Sequence, residues 1–125
     1  MSDRIFLQGM AFEGRHGVSD EERSEPQVIE VDAEVELDLH AAGTTDDLNR
    51  TVNYSEIFEI CRAQVEEHSY HLLEAIGEAI CRDALSQHPA IDVIRVTVRK
   101  PGVPIEGVIE YAGVMIERTR GSDGG

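Results

Sequence analysis

Lysine is nearly absent from this chain of 125 residues: ten of its 11 basic residues are arginine, and Lys100 is the sole lysine. Positive charge of any kind is scarce. The 25 Asp and Glu leave a formal net charge of -14. A chain so acidic repels phosphate backbones and anionic bilayers, which argues against nucleic-acid partners and membrane-surface attachment. Long apolar runs are missing too, and none approaches the roughly 18 residues that span a bilayer. The start, Met1-Ser2-Asp3-Arg4, lacks the charged-then-apolar pattern of a secretory signal, so the cytoplasm is the expected compartment. Cysteine is limited to Cys61 and Cys81, whose spacing fits neither a metal site nor a disulfide framework. Acidity itself names no function. It reads as a solubility device or an adaptation to a salty cytosol.

What is present fits one small domain, residues 1–120, with Gly121–Gly125 as a disordered tail. Arg4 to His16 reads as a strand that turns at Gly14-Arg15-His16-Gly17. Ser19 to Pro26 is a charged loop. From Val28 to Leu39 apolar residues occupy odd positions, while Glu30, Asp32, Glu34, Glu36 and Asp38 occupy even ones. That period of two predicts a strand with one buried and one wet face. The carboxylate row reads as a solvated face, since a row lacks the convergence that a metal needs.

Ala41 to Asn49 is a connection. A helix starts at Asn53, with Glu56 three residues on as a capping-box-like pair. Glu66 to Tyr70 breaks it, and a second amphipathic helix runs from Leu72 to His88 before Pro89. Both cysteines lie on the apolar stripes, which makes them core residues. Ile91–Arg99 and Val108–Arg118 read as the last two strands, joined through the stiff loop Lys100–Pro104. The order ββααββ predicts an α+β fold: a four-stranded antiparallel sheet with two helices on one face. Chains this short often gain stability by oligomerising.

Lys100 is the first candidate for chemistry. A solvated cation in this chain would be expected to be arginine, and lysine differs in being able to give up its proton. It also stands at a strand end before a Pro-Gly loop, where sites often lie. Glu74, in the first turn of the second helix, suits the helix dipole, and a rigid carboxylate there can also accept paired N–H bonds from a flat heterocycle. Tyr54 carries a hydroxyl able to relay a proton, and packing its ring explains it equally well. Glu22 is one of four acids in the charged loop. His68 and His71, with His16, could offer three zinc ligands, but H-x-x-H alone is a weak pattern. His40 and His88 read as surface residues.

Taken in order, several short motifs carry a likeness: Gly14-Arg15-His16-Gly17-Val18, Val52-Asn53-Tyr54, Leu72-Leu73-Glu74, Lys100-Pro101 with Pro104-Ile105, and Val114-Met115-Ile116-Glu117-Arg118. On this element pattern the chain resembles the bacterial dihydroneopterin aldolase family over Arg4 to about Arg118. The resemblance implies a tunnelling fold in which four subunits join their sheets into a ring-shaped barrel. Two rings stack as an octamer, with sites between neighbouring subunits. It implies retro-aldol cleavage of 7,8-dihydroneopterin in folate biosynthesis, with no cofactor, no metal and no Schiff base. By position, Glu74 would hold the pterin edge, with Val52 and Leu73 completing it. Lys100 and Glu22 would meet the trihydroxypropyl side chain. Lys100 and Tyr54, the latter from the adjacent subunit, would move protons. Three alternatives share these residues or this fold: a C2′ epimerase, a zinc-dependent relative using His16, His68 and His71, and a noncatalytic pterin-binding subunit.

Overall fold

The computed structural model describes residues 3–120. The expected tail, 121–125, lies outside the described residues. The elements are β1 (Asp3–Gly14), α1 (Asp20–Ser24), β2 (Gln27–Leu37), α2 (His40–Thr45), a 3-10 turn (Leu48–Arg50), α3 (Tyr54–Glu66), α4 (Leu73–Gln87), β3 (Val93–Lys100) and β4 (Ala112–Thr119). The strands form one antiparallel sheet in the order β1-β2-β3-β4. Helix α3 packs over β1 and β2, α4 packs over β3 and β4, and the two helices touch each other. Among the described residues no helix is long and apolar enough to cross a membrane.

Alternation places the core. Ile29, Val31, Ala33, Val35 and Leu37 of β2 and Ile94, Val96 and Val98 of β3 lie under the helices and are almost fully buried. Ile57, Cys61 and Val65 of α3 and Ile76, Ile80, Cys81 and Ala84 of α4 close over them. Burial pushes both thiols up to about 12, so Cys61 and Cys81 are packing residues. In β1 the inward parity changes. Ile5 and Leu7 face the helices, then Met10, Phe12 and Gly14 do. A bulge between Leu7 and Met10 makes the switch, with Gly9 at φ +74° and its N–H donating to Asp32 Oδ1 at 2.7 Å.

The wet face differs from the expected solvated row. Strand register sets Glu30 opposite Arg99 and Glu34 opposite Arg95. Arg95 pairs with Glu34, Glu36 and Glu117, Arg99 with Glu30 and Asp32, and Arg4 with Glu34 and Glu36. The Arg99 guanidinium holds the Asp32 carboxyl below its usual range. Each pair is worth little alone. Together they let four carboxylates line one strand without mutual repulsion.

Four local expectations need correction. The charged loop 19–26 contains the short helix α1. The connection at 41–49 contains α2. Strand β4 starts at Ala112 rather than Val108, because Lys100–Ala112 is its first pair, and residues 101–111 form the connecting loop. The capping box lies at Ser19 and Glu22, not at Asn53 and Glu56. Asn53 instead caps α3 alone, accepting from Ser55 N at 3.0 Å.

Candidate functional site

Strand β3 alternates half-buried and buried residues to its last position, so Lys100 continues the inward series Ile94, Val96, Val98. Its side chain is therefore drawn under the protein surface, and the residue is 5% exposed. A buried ammonium needs partners. Nζ donates to Glu22 Oε2 at 2.6 Å and to the His16 carbonyl at 3.2 Å.

Glu22 reaches Lys100 because α1 is built to hold it. Ser19 caps α1 by accepting from Glu22 N, and Glu22 Oε1 accepts from Ser19 N at 3.3 Å. Gly17 makes room: a Cβ there would lie 2.4 Å from Glu22 Cβ. Arg23 donates to the carbonyls of Gly17 and Val18, both at 2.7 Å, which pins the turn to the helix. The Lys100 ammonium, aided by the Ser19 N–H, holds the Glu22 carboxyl below its usual range.

His16 lies under the same turn and is 1% exposed. Nε2 donates to the Val65 carbonyl at 2.8 Å, and Nδ1 accepts from Tyr70 N at 3.0 Å. Both nitrogens are thus used by the fold, in the neutral Nε2–H form. Burial, with Lys100 and His68 nearby, lowers the His16 pKa despite the Val65 carbonyl. His71 Nδ1 lies 3.5 Å from Arg23 Nη1, and the His68 ring stacks on Tyr70. Three convergent histidine ligands do not form. The His16 shift has a consequence for stability. The folded pKa lies below the unfolded value near 6.5, so the unfolded chain protonates first. Stability from neutral His16 is complete above that value and is lost as the pH falls through it. Glu22 adds a second loss below 4.5. The melting temperature is expected to fall between about pH 7.5 and 5.5, and a flat profile there contradicts the assignment.

The segment entering α4 is tied to this turn. Gly17 N donates to the Tyr70 carbonyl at 3.0 Å, and Ser69 Oγ to the Arg15 carbonyl at 2.5 Å. Leu73 and Glu74 follow directly at the start of α4, Leu73 half-buried and Glu74 exposed. The chain also dictates their position from the other side: α4 is followed by a short turn and β3 returns along it. A helix of 15 residues and a strand of 8 have similar lengths, about 22 and 26 Å, so Glu74 and Lys100 share one end.

Val52 and Tyr54 do not join this group. The far end of α3, at the Val65 carbonyl, is the end that meets His16. Eleven residues of helix put Tyr54 about 17 Å away from it. Glu56 lies 3.6 Å from His88, which places this end of α3 beside the last turn of α4. Tyr54 is 64% exposed there, and Val52 is buried. One chain therefore presents two candidate half-sites at opposite ends: Lys100, Glu22, Leu73 and Glu74 at one, Val52 and Tyr54 at the other. Sequence reasoning passed over His16 as a structural partner of Lys100, although its inward parity after Met10, Phe12 and Gly14 marks it as buried.

A family model described as dihydroneopterin aldolase matches residues 5–117. The chain is 41% identical to the dihydroneopterin aldolase of Bacillus subtilis strain 168 over 118 residues, covering 94% of this chain and 97% of the relative. It is 37% identical to that of Streptococcus pyogenes serotype M1, covering 94% and 99%. A crystal structure of the Escherichia coli dihydroneopterin aldolase in complex with neopterin matches with a TM-score of 0.85 at 27% identity, covering 93% of this chain and 98% of that one.

Proposed function

This chain belongs to the dihydroneopterin aldolase family, and on that premise we propose that it cleaves 7,8-dihydroneopterin with the Lys100 end of one subunit and the Tyr54 end of its neighbour. The products are 6-hydroxymethyl-7,8-dihydropterin and glycolaldehyde, in folate biosynthesis. One observation carries the assignment of the site: the sole lysine is buried at a strand end, bonded to Glu22, at the end of the fold where α4 presents Glu74.

The chemistry divides into three tasks. The heterocycle must be held, and the exposed Glu74 carboxylate would accept its amino and ring N–H groups, with backbone groups of Leu73 and Val52 finishing the edge. A proton must leave the 2′-hydroxyl. The C1′–C2′ bond then breaks, glycolaldehyde departs, and its electron pair flows into the N5=C6 imine of the pterin. Last, a proton must return to C1′. The imine is the electron sink, so the amine of Lys100 is free for proton transfer rather than Schiff-base formation, and no metal is assigned a role. Lys100, set by Glu22, would handle the side-chain hydroxyls, and Tyr54 would exchange the proton near the reacting carbons.

The half-sites support assembly. They lie too far apart to surround one pterin in a single chain, and β1 and β4 each leave one edge unpaired within it. A homo-oligomer of sheet-joined rings, two of them stacked as an octamer, would bring the halves together between neighbours. The proposed compartment is the cytoplasm.

Incubation with 7,8-dihydroneopterin followed by product chromatography tests the reaction. Glycolaldehyde with hydroxymethyl-dihydropterin is expected. An epimer alone, or binding without turnover, would overturn it. Glu74→Ala tests the holding task. Losing a charge-assisted pair worth about 2 kcal/mol should weaken neopterin binding about thirtyfold, read by fluorescence titration. Because Glu74 is exposed, the melting temperature should stay near wild type. Unchanged affinity would remove Glu74 from the site.

A further inference from the structure

Among the described residues, His16 is the one buried group that touches both arms of the Lys100 half-site. Its backbone carbonyl accepts from the Lys100 ammonium, and its ring Nδ1 accepts from Tyr70 N, three residues before Leu73. The third contact, Nε2–H to the Val65 carbonyl, satisfies an orphan carbonyl in the last turn of α3. The ring has no slack. A Cβ on Gly14 would lie 2.7 Å from Nε2 and 2.3 Å from the Val65 oxygen. The rings of His16 and Tyr70 stack at 5.8 Å, and Tyr70 Oη donates to Gln64, itself buried, at 2.5 Å. The imidazole is thereby a third tie on the segment that delivers Leu73 and Glu74, beside Gly17 N to the Tyr70 carbonyl and Ser69 Oγ to the Arg15 carbonyl.

We propose that His16, as the neutral Nε2–H tautomer, is a positioning residue that sets the pterin-holding segment Leu73–Glu74 against the Lys100–Glu22 pair. This rests on the aldolase reading above. Protonation would put a hydrogen on Nδ1, directed at the Tyr70 N–H, and leave that amide without its acceptor. It would also place a second cation beside Lys100. The charged or titratable groups around the ring are Lys100 on β3 with its partner Glu22 on α1, and Tyr70 and His68 in the segment before α4. From α3 only the Val65 carbonyl is bonded to it. A helix C-terminus favours a cation, but burial opposes it and prevails, lowering the pKa. Loss of this tie leaves the other two and the fold in place and loosens the segment, so binding suffers before structure does.

Neopterin titration by fluorescence at about pH 8, and from there down to the lowest pH at which far-UV circular dichroism still reports the folded protein, reads this. Wild-type affinity is expected to fall about fivefold or more towards the acid end while the spectrum holds, as one buried acceptor is lost. His16→Asn keeps an acceptor near Nδ1 and cannot titrate, so its affinity should be near wild type at pH 8 and flat in pH. His16→Gln reaches Val65 but offers Tyr70 no acceptor. It should be weak at every pH, with KM raised more than kcat falls. His68→Gln should keep the acid limb. An acid limb that persists in His16→Asn, or vanishes in His68→Gln, would overturn the proposal. If wild type neither binds neopterin nor releases glycolaldehyde, the aldolase reading fails instead. The His16 link is then read at pH 8 from Tyr70 amide exchange: protected in wild type, unprotected in His16→Gln. Equal protection in both would overturn it.

Discussion

Replacing Lys100 with alanine is expected to cut glycolaldehyde release about 10²- to 10⁴-fold, the range that positioned acid–base groups contribute. Neopterin binding should change little, because the proposed holder of the pterin edge is Glu74. The buried pair makes the variant costly to the fold as well. Without the ammonium, Glu22 keeps a half-buried carboxylate bonded only to Ser19, at a cost of about 1–3 kcal/mol. Circular dichroism at the assay temperature therefore accompanies the rate. Lys100→Arg separates charge from proton transfer. It restores a cation to Glu22, yet guanidinium does not give up its proton and its planar fork does not fit a contact shaped for one ammonium between Glu22 and the His16 carbonyl. Its stability should recover more than its rate. Turnover near wild type in either variant would take Lys100 out of the reaction.

The sequence made Lys100 visible for a reason the structure then deepened. Its rarity drew attention, but its parity is the stronger sign. A lysine continuing the inward series of Val96 and Val98 must be buried, and a buried lysine must have a carboxylate or carbonyl partner. Which partner is a tertiary matter. Glu22 lies 78 residues earlier, among acids of the same composition, and only the Ser19 cap singles it out. The long periodic elements were legible because one period dominated each: β2, α3 and α4 agree with expectation within about two residues. Strand β1 was less so, since the bulge at Gly9 shifts its parity midway. The start of β4 was misplaced because Val108, Ile109 and Tyr111 are apolar yet exposed and unpaired with β3. The carboxylates of β2 looked solvated because their arginines come from other strands, and register alone brings them across. His16 shows the same limit, since the roles of its two nitrogens depend on where α3 ends and where Tyr70 arrives.

The separation of the half-sites leads to a prediction that needs no substrate analogue. Tyr54→Phe, like Lys100→Ala, is expected to be inactive or nearly so, losing at least about a hundredfold if the hydroxyl moves a proton. In a mixed oligomer, however, the two defects fall in different sites. A site built from the Lys100 end of a Tyr54→Phe subunit and the Tyr54 end of a Lys100→Ala subunit has both groups intact. The opposite junction has neither. Random mixing in a closed symmetric ring makes about one site in four wild type. Co-expressing the two inactive variants should therefore restore about a quarter of wild-type glycolaldehyde release per site, whereas mixing the separately assembled proteins without exchange should restore none. A site completed within one chain gives the opposite outcome, because every chain then carries a defect and the mixture stays inactive. The helix geometry favours recovery: α3 runs from the His16 contact at Val65 to Tyr54, and its length keeps the tyrosine from the lysine of its own chain.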